Sequence, residues 1–484
     1  MRTSSRRGFL KTASTVAGGL AIAKAVPVLA ATSGPVKVWG TFRDRRYAAG
    51  EALHWKPVSS VAADAIVLDP AATKQEILGF GGALTDATCY VLSQLKADER
   101  EAVMHDLFAP SEMGLNVCRT CIGASDYSRS AYTFDESDTP DPELKKFSIE
   151  HDKAYILPML REVRKANPEM FLFSSPWTPP GWMKTGSSML GGAMRKHSYE
   201  PYAKYFLKFL DAYKSDGVLI DAVTVQNEVD ADQDSRMPAC LWGQEYEIEF
   251  VKDHLGPTLR EAGFKTKIWV LDHNYNLWGR AIAELSDPKA YEYIDGIAWH
   301  GYVGDAGAMT RVHEAFPEKN AYWTEGGPDI TAPDYATDWA KWGEVFNSTL
   351  NNWVRSITAW NVALDEKGNP NIGPFPCGGT ITIDNATHKV AKSGQYWAFA
   401  HYSRHVKRGA KAFATNGVDT PAVGGLIENR VSKALTHTGF RNPDGSMVLV
   451  LANRGDERRV QVLHGTNALE LTVPADSLHT LQWD

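Results

Sequence analysis

Cysteine is scarce in this chain. The 484 residues contain five, at Cys89, Cys118, Cys121, Cys240 and Cys377. So small and odd a number excludes a fold stapled by disulfides. Cys118-Arg119-Thr120-Cys121 has the spacing of half a redox or zinc motif. On a strand, however, that offset sends the sulfurs to opposite faces, and both read as small apolar packing groups. Long apolar runs are also missing beyond the N-terminus. A membrane span needs about 20 consecutive apolar residues, so stable membrane insertion is not expected. Positive charge is in deficit, with a formal net charge of −7. Nucleic acid and anionic membrane surfaces are therefore not the expected partners. No Gly-x-Gly-x-x-Gly turn follows a strand, no Gly-x-Ser-x-Gly elbow occurs, and no convincing metal-ligand spacing is present. These absences argue against dinucleotide binding and Ser-His-Asp acyl transfer, and no cofactor or metal is expected. Asp230-Ala231-Asp232-Gln233-Asp234 opens like a calcium loop. Ser235 then stands at the turn-glycine position and Leu241 at that of the final bidentate acid, so the loop fails. Internal repeats and low-complexity tracts are absent.

The first thirty residues read as an address label. Ser5-Arg6-Arg7-Gly8-Phe9-Leu10-Lys11 matches the twin-arginine pattern, an apolar stretch runs from Ala13 to Ala23, and Val28-Leu29-Ala30 precedes a cut near Ala31. A twin-arginine signal peptide over residues 1–30 predicts a periplasmic or secreted protein. Its removal takes away Arg2, Arg6, Arg7, Lys11 and Lys24, leaving a net charge of −12.

What the chain has is a globular composition, 43% hydrophobic with 15 Trp and 18 Tyr. That supports a sizeable core, and the aromatics suit stacking on flat apolar ligand faces such as sugar rings. Short apolar runs at 78–83, 116–122, 170–176, 219–227, 267–272, 295–301, 320–324 and 356–362 read as strands. Helical spacing fills 89–107, 152–166, 200–215, 245–262, 279–293, 308–316, 335–353 and 394–406. Parallel strands need crossovers and are covered on both faces, so this alternation predicts an α/β fold, a (β/α)8 TIM barrel over residues 78–408. Residues 411–484 alternate with period two, as in Ser446-Met447-Val448-Leu449-Val450-Leu451-Ala452, and carry the turn signal Asn442-Pro443-Asp444-Gly445. Residues 35–77 are also strand-like. The expected organisation is a barrel with an attached β-sandwich domain formed by both chain ends.

Two of the strands run straight into a glutamate: Ala222-Val223-Thr224-Val225-Gln226-Asn227-Glu228 and Ala321-Tyr322-Trp323-Thr324-Glu325. On the strand count Glu228 ends the fourth strand and Glu325 the seventh, so both face one mouth of the barrel. Two carboxyls meeting there divide proton donation and nucleophilic attack, the chemistry of glycoside hydrolysis.

Several ordered segments carry a resemblance. Gly79-Phe80-Gly81-Gly82-Ala83-Leu84-Thr85-Asp86-Ala87, Ser175-Pro176-Trp177-Thr178-Pro179-Pro180-Gly181-Trp182, His254-Leu255-Gly256-Pro257-Thr258-Leu259 and Trp360-Asn361-Val362-Ala363-Leu364 resemble the glucosylceramidases of glycoside hydrolase family 30. The likeness runs from about residue 35 to the C-terminus. It implies the same barrel and sandwich, with Glu228 as acid/base and Glu325 as the nucleophile of a retaining double displacement. By resemblance Asn227 bonds the sugar 2-hydroxyl, and Arg119 and Tyr302 hold the nucleophile ionised and oriented. Asp126 and Trp177 grip the glycone, while His300, Trp360 and Asn361 line the remaining pocket. Glu228 is expected to have its pKa raised by the neighbouring negative charge.

The chain departs from the pattern at Val229, where many relatives have proline, and at the Gly326-Gly327 pair after Glu325, which predicts a wider pocket rim. The resemblance makes the substrate a β-glucoside, glycolipid or oligosaccharide, with glucosylceramide-like glucosides leading and β-1,6-glucanase or β-xylosidase action as alternatives. Residues 365–380 lack the arginine expected of a glucuronoxylanase. A catalytically silent carbohydrate-binding protein is the alternative of another class.

Overall fold

The computed structural model describes residues 34–416, 425–427 and 435–484; the expected signal peptide lies outside them. Eight parallel strands close into a barrel: β1 (Gly79–Ala83), β2 (Val117–Cys121), β3 (Phe171–Ser175), β4 (Ala222–Thr224), β5 (Lys267–Asn274), β6 (Ile294–His300), β7 (Asn320–Glu325) and β8 (Val354–Asn361). Pairing of β8 with β1 shuts the cylinder. The glycines of β1 permit a close approach: a Cβ on Gly81 would lie 1.8 Å from the Val117 carbonyl oxygen.

One layer inside the barrel is apolar. Val117, Phe173, Ala222, Trp269, Ala298 and Tyr322 each come from a different strand and pack together, with the Trp269 and Tyr322 rings stacked at 3.9 Å. Side chains two residues further along a strand point to the same face. The layer above therefore holds Arg119, Ser175, Thr224, His300 and Thr324, all buried. On β5 the register slips between Leu271 and His273, and positive φ angles at Leu271 (72°) and Asp272 (44°) mark the bulge. It carries Asp272 into that layer and still turns His273 toward the mouth, as bulges re-aim side chains beside functional sites.

The helices break where the sequence supplies a cap or a proline. The expected helix 89–107 is two, Asp86–Ser93 and Ala97–Phe108, the first capped by the Thr85 side chain on Thr88 N. The segment 245–262 widens into a π turn at Val251–Leu255, just before Pro257, which has no N–H for a regular turn. The segment 279–293 splits at Asp287, whose carboxylate caps Lys289 N and Ala290 N.

Both chain ends build the second domain. Strand Pro35–Phe42 pairs with Ser477–Trp483, and Ile66–Glu76 pairs with Lys411–Asn416 and Arg458–His464. The resulting 11-stranded sheet folds over its own core, in which Val36, Ile66, Leu449, Val462 and Leu481 meet. In strand Met447–Asn453, Met447, Leu449 and Leu451 face this core, while Val448, Val450 and Ala452 join the barrel's core. Every residue of that strand is buried because the sandwich docks on the helix Trp339–Asn351. A small sheet of Ala363–Asp365, Ile381–Ile383 and Val390–Lys392 follows β8, which the sequence patterns do not announce. Cys118 packs among the helices and Cys121 beneath the barrel mouth, and all five cysteines are free. Among the described residues no helix is long and apolar enough to cross a membrane.

Candidate active site

The polar layer of the barrel is one hydrogen-bonded network around Arg119. Its Nη1 donates to Glu325 Oε2 at 2.5 Å, and its Nη2 to Asp272 Oδ2 at 2.7 Å and Asn227 Oδ1 at 2.8 Å. Its Nε donates to Ser175 Oγ at 3.1 Å. Asp272 also accepts from Ser175, Thr224 and Thr324 at 2.9, 2.7 and 2.7 Å. A buried guanidinium thus balances two buried carboxylates, and the hydroxyls occupy the remaining lone pairs, the condition under which buried charge is tolerated.

Glu325 is the last residue of β7, and its second oxygen accepts from the Tyr302 hydroxyl at 3.0 Å. Glu228 is placed differently from expectation. Strand β4 stops at Thr224, and Glu228 lies four residues on with φ 53°. This left-handed backbone costs a non-glycine residue about 1–3 kcal/mol. It is held by Asn227 N donating to Pro176 O at 2.8 Å and Glu228 N donating to Asp272 O at 3.0 Å. The turn aims the carboxyl back over the mouth, where Gln233 Nε2 donates to Oε2 at 2.9 Å. His300 Nδ1 and His273 Nδ1 stand 3.3 and 3.6 Å from Oε1.

These imidazoles reverse one expectation. Burial pushes the Glu228 carboxyl up, but His273, His300 and the Gln233 amide outweigh it and hold it at about 2. The expected rise considers only the negative neighbour, and the two imidazoles outweigh it. Burial pulls His300 down, yet the Glu325 charge and the hydrogen bonds to Asp272 and Glu228 push it up to about 9. Burial raises Glu325 from its ordinary value, with His300 and Arg119 opposing and Glu228 and Asp272 adding. Arg119 and Tyr302 both donate to its charged form and so oppose that rise. In the open site the proton near Glu228 resides on His300.

Glu228, Glu325, Asp126, Trp177, Asn227, Tyr302 and Trp360 line a single cavity of about 560 Å³. Trp177 and Trp360 stack at 4.9 Å beside Arg119, whose guanidinium carbon lies 4.6 Å from the Trp177 ring. Burial, then the charges of Glu325 and Glu228, push the Asp126 carboxyl well above the usual range, and its Oδ1 has no protein partner. Gly327 lines the cavity, while a side chain on Gly326 would meet the Trp323 ring at 2.2 Å. Two expected pocket residues lie elsewhere. Asn361 follows Trp360 on β8 and so points to the opposite face, where Thr85 Oγ1 donates to its Oδ1 at 2.8 Å. His300 is fully buried beneath both glutamates, its Nε2 3.0 Å from Asp272 Oδ1, so it touches them and not the cavity.

Asp272 and His273 are not singled out by the sequence, and Asp230 and Gln233 read there only as part of a failed calcium loop. Strand β5 continues to Asn274 beyond the expected end at 272, and an acid and an imidazole at a strand end were the available signal. Asp230 and Gln233 sit in the failed calcium loop, where His273 Nε2 lies 2.6 Å from Asp230 Oδ1. Glu228, His273 and His300 bring ligand atoms within 4.8 Å of one another, a donor set that a cation such as zinc accepts.

A parallel barrel bearing two opposed carboxylates at its mouth, one clamped by arginine and tyrosine, has the architecture of a glycoside hydrolase. Residues 77–406 match the glycosyl hydrolase family 30 TIM-barrel domain, and residues 426–481 its beta sandwich domain. The chain belongs to glycosyl hydrolase family 30. It is 32% identical over 407 residues to an endo-1,6-beta-D-glucanase of Neurospora crassa, covering 81% of this chain and 82% of that one. It is 29% identical over 441 residues to the lysosomal acid glucosylceramidase of Mus musculus, covering 86% and 83%. The solved endo-beta1,6-glucanase BT3312 superimposes with a TM-score of 0.81 at 30% identity, over 93% of this chain and 99% of that one.

Proposed function

We propose that this protein is a retaining β-glucosidase that cleaves β-1,6-linked glucan through a covalent glycosyl-enzyme. The observation that carries the mechanism is the double clamp on Glu325, with Arg119 on one oxygen and Tyr302 on the other. It favours the charged form of the carboxylate and aims it, as a nucleophile requires. Glu325 attacks the anomeric carbon as the bond to the leaving oxygen breaks, and that oxygen takes its proton from Glu228. The proton comes from His300, 3.3 Å from Glu228, so the step leaves Glu228 a carboxylate and His300 neutral, and the proton that Glu228 later takes from water restores His300. Once Glu325 is esterified its charge is gone, and Glu228 takes a proton from water, whose oxygen attacks the same carbon and frees Glu325. Asn227 spends its amide oxygen on Arg119, so its Nδ2 is the atom left to donate to the sugar 2-hydroxyl. Asp126, which lines the cavity, receives glycone hydroxyls.

Likeness to the Neurospora enzyme and to the endo-beta1,6-glucanase fold supports glucan as the substrate. A second reading, a β-glucoside with an apolar aglycone such as glucosylceramide, is favoured by the rim. Phe375 and Ile427 line the mouth and are 40% and 73% exposed.

The test is a panel of aryl β-glucoside, xyloside, galactoside and fucoside, then digests of β-1,6-glucan and glucosylceramide with product sizing and NMR of the first anomer formed. Cleavage of β-glucosides and β-1,6-glucan with the β-anomer appearing first is expected. Activity confined to β-xylosides, or an α-anomer first, contradicts the proposal. The N-terminal pattern further supports export, which N-terminal sequencing of the exported protein tests by a start near residue 31.

A further inference from the structure

A second cavity of about 440 Å³ opens on the loops after β5 and β6, lined by Tyr275, Asn276, Trp278, Asp305 and Arg311 together with small residues of the following helix. The last residues of β5, His273 and Asn274, and Tyr302 in the loop after β6 line the catalytic cavity. Asn274 lines one cavity and Tyr275 the other. Along the second loop the change falls between Tyr302 and Asp305, a chain distance of about 10 Å at most. The loops are also locked together. Asn274 Oδ1 accepts from Tyr302 N at 3.0 Å and Val303 N at 3.1 Å. A Cβ on Gly304, which has φ +92°, would sit 2.6 Å from Asn276 N. The two cavities are therefore held at a fixed spacing on one face of the barrel.

The lining has a recognisable chemistry. The half-buried Trp278 indole gives a flat apolar surface, with the Arg311 guanidinium 5.2 Å from its ring. Asn276, Asp305 and Arg311 are exposed around it and offer amide, carboxylate and guanidinium groups. A pyranose presents the matching surface, with C–H bonds on one face for an aromatic ring and equatorial hydroxyls at its edge for planar polar groups. Both signs of charge are present, which suits a neutral polyhydroxylated ligand better than a phosphate or a lipid tail.

We propose that this cavity is a pyranose subsite that holds a further sugar unit of the chain whose glycosidic bond lies between Glu228 and Glu325. The inference rests on the β-1,6-glucan reading above. It makes cleavage depend on chain length, because only an oligosaccharide long enough to reach Trp278 gains from it.

The test compares the wild-type protein with Trp278→Ala and Arg311→Ala on an aryl β-glucoside and on β-1,6-gluco-oligosaccharides of two to six units. In the wild type kcat/KM should rise with chain length. In Trp278→Ala the ratio of kcat/KM for the hexamer to that for the aryl glucoside should fall about tenfold, and the rise with length should flatten; Arg311→Ala should move the ratio the same way. A variant that folds poorly loses both activities and leaves the ratio alone. If the wild type cleaves the oligosaccharides and the Trp278→Ala ratio stays within about twofold, the subsite is refuted and the glucan reading stands. If the wild type cleaves the aryl glucoside but no β-1,6 oligosaccharide, the glucan reading fails and the subsite with it.

Discussion

Arg119 Nη1 and Glu325 Oε2 meet at 2.5 Å between side chains that are 0% and 8% exposed. A guanidinium buried this deeply stays charged, since burial is opposed by Asp272 and Glu325, and it counters the rise that burial imposes on the carboxylate beside it. The nucleophile is thus held by groups on β2 and β5, three and two strands away from its own around the barrel.

Replacing Arg119 tests this directly. Arg119→Lys keeps the charge but loses the fork that reaches Glu325, Asp272 and Asn227 together, and kcat should fall by about 10²–10³. Arg119→Met removes the guanidinium that two buried carboxylates share, leaving them only His300 as a cation, and should cost about 3–5 kcal/mol of stability. Steady-state kinetics and urea unfolding check the two outcomes.

Tyr302→Phe removes the hydroxyl that donates to Glu325 Oε1 and accepts from Gly327 N. Loss of a hydrogen bond to a charged group is worth about 1.5–3 kcal/mol, so kcat/KM should drop by about 10–100-fold. The lost donor favoured the ionised form, so the acid limb of the pH–rate profile should move to higher pH.

Much of this centre was legible beforehand because it follows strand arithmetic. Glu325 ends β7, Arg119 sits on β2, and Tyr302 follows β6, where counting apolar runs puts them. The bulge at Leu271–His273 was not legible. Period-two reading sends Asp272 and His273 to opposite faces, and only the slip in register against β6 turns both to the site. Without it the sequence offers no reason to surround Glu228 with imidazoles, and its pKa is expected on the wrong side. Asn361 misleads for the converse reason: its segment matches, but alternation along β8 gives the pocket to Trp360. The sandwich strand Met447–Asn453 reads as half-exposed because a sequence pattern does not reveal that its outer face docks on another domain.

His300 gives a pH signature. Its folded pKa of about 9 lies above the ordinary imidazole value of about 6.5, so its contribution to stability is complete below about pH 6.5 and is lost as pH rises through 9. Unfolding free energy should fall by up to about 3 kcal/mol across that interval. His300→Asn should flatten this slope. It should also raise the Glu228 pKa and move the alkaline limb of kcat/KM to lower pH, because the proton reservoir is gone. Urea unfolding and initial rates at pH 6, 7.5 and 9.5 measure both effects.

The central claim is the division of labour between the two glutamates, and a covalent trap tests it most directly. Wild-type protein incubated with a 2-deoxy-2-fluoro-β-glucoside bearing an activated leaving group should gain one fluoroglucosyl unit by mass spectrometry. Peptide mapping should place it on Glu325, and Glu325→Gln should gain nothing. Label on Glu228, or no label from a protein that still turns over β-glucosides, would contradict the account.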